Sequence, residues 1–159
     1  MSFSPFVEDA RFKICEAYRI ESPKYYHDQE YSEKSLDRYQ EFLDDFPNSK
    51  FNEDVLASIK ILRAKLGKKF FETGILYIKM EEYESAKISF QAVLDLYYDT
   101  DIILDARQGM IIALAKNKEV DDAVLLLNTH KKDLKNAGLY SDAEKIIDKV
   151  EKQIAKENN

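Results

Sequence analysis

The sequence predicts an all-α fold in which antiparallel helix pairs stack into a short solenoid. Only four glycines and three prolines occur in 159 residues, and no segment shows the apolar–polar alternation of a strand. A hydrophobic content of 45% is enough for a core. The stretch 66–99 is typical of two helices joined by a tight turn at residues 80–83. A unit of this size cannot bury its faces alone, so we expect neighbouring units to pack against it.

Two small residues mark the predicted contact between the helices of this hairpin. Gly74 lies on the aromatic stripe of the first helix and Ala86 on that of the second. A bulky side chain at either position would hold the backbones apart. Ala123 follows Ala86 by 37 positions, which is close to one repeat. We assign structural positions of the repeat to Phe70, Gly74, Tyr77, Tyr83, Ala86, Phe90 and Ala123.

The first third of the chain predicts two helices separated by a loop. Ser4 and Pro5 have the residue types of an N-cap and a first helical position, and we expect a helix from there to about residue 20. Residues 22–31 lack helical periodicity and predict a loop. A second helix over about 32–46 ends before a proline. In the first helix, apolar side chains recur at helical spacing at Val7, Ala10, Ile14, Ala17 and Tyr18.

The rest of the chain predicts about five further helices, which gives about seven in all. Apolar residues recur without a proline over about 52–80, so we expect one helix of about 43 Å at 1.5 Å per residue. Helices should follow over about 83–97, 102–115, 120–136 and, after a capping box, 140–157. We interpret 1–159 as a single domain with repeat-like units at about 4–49, 52–100 and 101–136 and a C-terminal capping helix at 140–157.

Composition and spacing argue against several classes of function. The formal net charge of −6 disfavours nucleic-acid binding, which needs clustered cations. Cys15, the single cysteine, falls mid-helix and is expected to be a small buried hydrophobe. Two distant histidines do not indicate a metal site, and carboxylate pairs such as Asp44-Asp45 do not face each other on a helix. We therefore expect no enzyme, no metal, no cofactor and no small-molecule substrate.

The sequence supports protein binding better than it supports catalysis or nucleic-acid binding. The first helix of each pair should line one side of a stack, although Phe71 and Ile75 fit a core between repeats equally well. Tyr25, Tyr26, Tyr97 and Tyr98 fall in loops or at a helix end. Tyrosines there are favoured as interface anchors, but they equally pack over loop ends. The predicted partner-binding residues are Lys68, Phe71, Ile75, Lys79, Tyr97, Tyr98, Asp105, Gln108, Ile112 and Lys116.

The order of these features resembles a known family. The hairpin has the tetratricopeptide (TPR) pattern, whose period is about 34 residues. Residues 4–127 resemble the outer-membrane assembly lipoprotein family BamD. The resemblance is carried by Ser4-Pro5 with Glu8-Asp9-Ala10, by Asp28-Gln29, by Tyr39-Gln40-Glu41-Phe42 leading into Phe46-Pro47-Asn48-Ser49, and by the long helix with Leu62-Arg63 and Leu66.

The resemblance implies a non-enzymatic periplasmic scaffold of the β-barrel assembly machinery. Family members are tethered to the outer membrane by an N-terminal lipid, and their C-terminal repeats dock the periplasmic domains of the barrel subunit BamA. This chain shows no lipobox cysteine, no signal peptide and no upstream repeats, and Tyr98 replaces the usual proline. We therefore expect an indirect link to the membrane through an anchor missing from this chain. The alternative is a generic TPR adaptor that binds a peptide or protein partner in another compartment.

Overall fold

The computed structural model of the protein describes residues 5–157, which form eight α-helices and no strand. This confirms the all-α, TPR-like prediction. Ser4, the predicted N-cap, lies outside the described residues. The helices are α1 (Pro5–Glu21), α2 (Glu30–Asp45), α3 (Asn52–Lys79), α4 (Tyr83–Leu96), α5 (Ile103–Lys116), α6 (Val120–Thr129), α7 (Lys131–Asn136) and α8 (Tyr140–Glu157).

The long central helix is confirmed, whereas the helix predicted over 120–136 is two helices. α3 runs for 28 residues without a break. α6 ends at Thr129, and α7 starts at Lys131. His130 between them caps α6, with its backbone N–H bonded to the carbonyl of Leu126 at 3.2 Å. The break accompanies full burial of Leu134 in the core that α5, α6 and α8 share.

The chain forms two compact units, Met1–Lys69 (unit 1) and Phe70–Asn159 (unit 2). In unit 1, α1 packs against α2. In unit 2, α5 packs against α4, α6 and α8. The single domain predicted from the sequence remains a prediction.

The core of unit 1 uses a different face of α1 from the one that the sequence suggested. Phe12 stacks on Phe51 with 4.1 Å between ring centroids, and Cys15 is only 2% exposed. Val7 and Ile14, which the apolar spacing favoured, are exposed. The expected burial of the cysteine is confirmed, and this burial raises the pKa of the thiol. The remaining core side chains are Tyr39, Phe42, Phe46, Val55 and Leu62.

The ring of Phe90 forms a second buried contact region of unit 2, beside the core that α5, α6 and α8 share. This side chain is fully buried and lies against Gly74 of α3 and Gly109 of α5. A Cβ on Gly74 would come within 2.6 Å of the Phe90 ring, and a Cβ on Gly109 within 2.5 Å. The sequence indicated the need for a small residue at Gly74 but not at Gly109. Ala86 is also fully buried.

Three helices of unit 2 end in the same hydrogen-bonded motif. Glu81, Lys118 and Gly138 have φ angles of 63°, 66° and 75°. The residue after each donates its N–H to a carbonyl five residues back, at 2.9 Å after Glu81, 3.0 Å after Lys118 and 2.8 Å after Gly138. This is the Schellman motif, whose left-handed position favours glycine. Two of the three positions therefore hold residues in a backbone conformation that L side chains disfavour.

Glu81→Gly is expected to raise the free energy of unfolding by about 0.5–1 kcal/mol, because relief of the left-handed strain exceeds the added chain entropy. Gly138→Ala should lower it by about 1 kcal/mol, although a Cβ there meets no atom within 4 Å. Urea denaturation followed by circular dichroism measures both changes. An unchanged or lower midpoint for Glu81→Gly, with Gly138→Ala also neutral, would contradict this interpretation of the motif.

Candidate partner-binding surfaces

The predicted contact residue of unit 1, Lys68, lies in a set of three α3 lysines that hold the loop before α2. Its Nζ lies 4.4 Å from the ring centroid of Tyr25. Lys65 donates to the hydroxyl of Ser22 at 2.6 Å, and Lys69 donates to the carbonyl of Tyr26 at 3.3 Å. Burial lowers the pKa of Lys65. Lys68 thus has a structural contact, and its role toward a partner stays a prediction.

The α3 residues predicted for unit 2 divide between core and surface. Phe71 is half-buried, with its ring centroid 5.9 Å from that of Phe90, which matches the alternative of a core between helices. Ile75 is half-buried as well. Lys79 is exposed at the last position of the helix.

Adjacent tyrosines at the end of α4 have opposite environments. Tyr97 is 7% exposed and stacks on Phe70 at 5.8 Å, which matches the alternative that it packs over the helix end. Tyr98 is 66% exposed. The position where the sequence departs from the family pattern is therefore on the surface of unit 2.

The α5 residues that were predicted to bind a partner are likewise only partly exposed. Gln108 donates its side-chain amide to the carbonyl of Leu139 at 2.7 Å and so fixes the turn before α8. Asp105 and Ile112 are half-buried. Lys116 is exposed, with its Nζ 6.0 Å from the ring centroid of Tyr83.

Lys116 lines a groove beside α8. The sequence did not indicate this groove, because its pattern predicts a capping role for α8. This groove, the α8 groove, has a volume of about 470 Å³. Lys118, at its edge, pairs with Glu157 at 2.7 Å. Apolar side chains of α8 and lysines from three elements meet there. The lining residues are Tyr83, Lys116, Lys118, Ile146, Lys149, Val150, Gln153, Ile154 and Glu157.

A second groove in unit 2, which no sequence signal indicated, lies among α4, α5 and α6. We name it the α4–α6 groove, and its volume is about 490 Å³. Its lining residues are Gln91, Leu94, Met110, Leu114, Asp122, Leu125, Leu126 and Thr129. The two grooves differ in charge, since the first has three lysines and one glutamate in its lining and the second has one aspartate and no basic residue.

Unit 1 also contains a polar cluster in contact with its core. Tyr39 is fully buried and donates its hydroxyl hydrogen bond to the Glu16 carboxylate. Arg19 binds the same carboxylate through Nη2 at 2.7 Å and Nε at 3.1 Å. The Arg19 hydrogen bond lowers the pKa of Glu16, and burial raises the pKa of Tyr39 to about 12. Each charged or polar group of the cluster thus has a partner, which is the pattern of a structural network.

Within residues 5–157, no group of three or more His, Cys, Asp or Glu side chains is placed to hold a metal ion. No helix in that range combines the length and the apolar character that crossing a membrane requires.

Comparison with known proteins identifies the family. The model of the YfiO family, described as an outer membrane lipoprotein, matches residues 4–131. No curated protein is detectably similar to the chain. The match covers most of the sequence, from α1 to the start of α7. The BamD-type family is a family of non-enzymatic scaffolds associated with the outer membrane. The chain therefore belongs to the YfiO, or BamD-type, family of outer membrane lipoproteins.

Proposed function

We propose that this protein is a non-enzymatic scaffold of the β-barrel assembly machinery at the periplasmic face of the outer membrane. In this proposal unit 2 docks the periplasmic domains of the barrel-forming subunit. The observation that carries the proposal is the family match over residues 4–131, which includes α4, α5 and α6 of unit 2.

The surface of unit 2 supports docking through the α8 groove. Lys116 and Lys149 line it without a carboxylate partner among the described residues, and Ile146, Val150 and Ile154 add apolar area. A surface that combines lysines with apolar side chains suits an acidic protein surface, because charges steer association and apolar contacts slow dissociation. Tyr98 and Lys79 are further surface positions of the same unit and remain predicted contacts.

The experiment is a titration of the full chain with the soluble periplasmic domains of the barrel subunit from the same genome. We expect saturable binding, and Lys116→Glu with Lys149→Glu should weaken it about tenfold or more, because both replace attraction with repulsion. Biolayer interferometry at two salt concentrations measures the loss. The affinity of the double variant should depend less on salt than that of the unmodified chain, since salt screens the exposed charges that the variant replaces.

The matched control is Lys13→Glu, an exposed lysine of α1 in unit 1. This substitution changes the net charge in the same direction and should leave the affinity within about twofold. Absence of saturable binding by the unmodified chain would favour the generic TPR adaptor. Equal losses for the control and the double variant would place the contact outside the α8 groove.

A further inference from the structure

The α4–α6 groove is mainly apolar, with side chains contributed by all three of its helices. α5 packs against both α4 and α6 and contributes Met110 and Leu114. Leu94 lies on the α4 side, and Leu125 and Leu126 lie on the α6 side. A groove between two helices that has a third helix beneath it has the shape into which an additional helix can lay its apolar face.

Two large apolar side chains in and beside the groove are unusually exposed. Leu125 is 66% exposed within the lining itself. Ile88 is 71% exposed and precedes Gln91, a lining residue, by one helical turn on α4. A single exposed leucine is ordinary, but exposed apolar side chains in and beside a concave apolar surface are typical of an interaction site.

The charge around the groove selects the kind of partner. Asp122 on the α6 side has no hydrogen-bond or ion-pair partner among the described residues. On the α4 side, the amide of Gln91 donates to the Asp95 carboxylate at 2.7 Å. Neither α4 nor α6 offers a compensating cation, and the two basic residues of α5, Arg107 and Lys116, do not line the groove. α6 contains no basic residue. The one on α4, Lys87, is held by Glu119 at 2.5 Å and Glu84 at 2.9 Å.

We propose that the α4–α6 groove binds a short amphipathic helix of a partner protein, with leucine-sized apolar side chains on one face and Lys or Arg on its flanks. The apolar face would cover Leu125 and Met110, and the basic flanks would meet Asp122 and Asp95. A groove whose lining has an aspartate and no basic residue disfavours acidic helices through like-charge repulsion. The inference depends only on this lining and not on the docking of the barrel subunit through the α8 groove.

The probe is a set of helical peptides of about 12 residues with leucines at i and i+4. One series has lysines on the flanks and its twin has glutamates. The full chain, carrying ¹³C-methyl methionine, is titrated with each series, because Met110 lines the groove whereas Met80 follows α3 and does not. Lysine-flanked peptides should bind saturably and shift the Met110 methyl signal, and glutamate-flanked peptides should bind at least about tenfold more weakly.

Two exposed substitutions test the contact without a core change. Leu125→Ser should weaken binding about tenfold, and Asp122→Asn should weaken the lysine series selectively, by about threefold to tenfold. Leu56→Ser, at an exposed leucine of α3 in unit 1, is the matched control and should leave the affinity unchanged. The proposal fails if no peptide saturates, if both series bind equally, if Met80 shifts in place of Met110, or if Leu125→Ser binds as the unmodified chain does.

Discussion

Phe90→Ala is expected to lower the free energy of unfolding by about 3–5 kcal/mol, the usual cost of emptying a buried aromatic site. The ring is fully buried and touches backbone positions on both α3 and α5, so its loss leaves a cavity that neither glycine can fill. Urea denaturation of the full chain, followed by circular dichroism, measures the change. A loss within about 1 kcal/mol would show that the core of unit 2 does not depend on this ring.

The same site allows a sharper test through a double-mutant cycle. Gly109→Ala alone should destabilise by about 1–3 kcal/mol, because its Cβ would meet the Phe90 ring at 2.5 Å. In the Phe90→Ala background that obstacle is absent. The same change should there be neutral or stabilising by up to about 1 kcal/mol, since alanine is the better helix former. Additive effects would contradict a direct contact between the two positions.

Tyr39→Phe is expected to lower the free energy of unfolding at neutral pH by about 1–3 kcal/mol. The substitution keeps the ring in the core of unit 1 and removes the hydroxyl that bonds Glu16. The carboxylate keeps Arg19 but loses one donor in a partly buried position. Tyr98→Phe is the matched control: that residue is 66% exposed, and the change should stay within about 0.5 kcal/mol. Equal effects at the two positions would show that the hydroxyl of Tyr39 contributes nothing.

The polar cluster also predicts how stability depends on pH. The pKa of Tyr39 is raised to about 12, so the folded protein keeps a proton that the unfolded chain releases near pH 10. Its contribution is complete below about pH 10 and is lost as the pH rises toward about 12. The pKa of Glu16 is lowered, so its contribution is present above about pH 4.3 and is lost as the pH falls through the folded value.

Tyr39→Phe should therefore remove part of the alkaline loss of stability while keeping the acid loss, because Arg19 still stabilises the Glu16 carboxylate. Denaturation midpoints at a series of pH values check both limbs. If the midpoint of the variant falls at alkaline pH as much as that of the unmodified chain, other groups cause that loss of stability.

Some features of the fold could be predicted from the sequence, and others could not. Gly74, Ala86 and the long helix α3 follow from local patterns, because small residues and proline-free periodicity act within one or two helices. Gly109 was missed because the Phe90 ring that it faces belongs to the preceding helix hairpin, whereas Gly74 and Phe90 lie within one hairpin. The burial of Tyr97 beside the exposed Tyr98 depends on the position of Phe70, which no spacing along α4 indicates.

The sequence by itself determined the helical class, the long helix α3 and the family, because these depend on periodicity and on the order of motifs along the sequence. Only the tertiary structure decided which face of α1 is buried, where the 120–136 segment breaks and where the grooves lie. The physical reason is that burial and charge at a surface are properties of neighbours in space. Tyr83 and Lys149, or Gln91 and Asp122, come to line one groove only after the helices between them have packed.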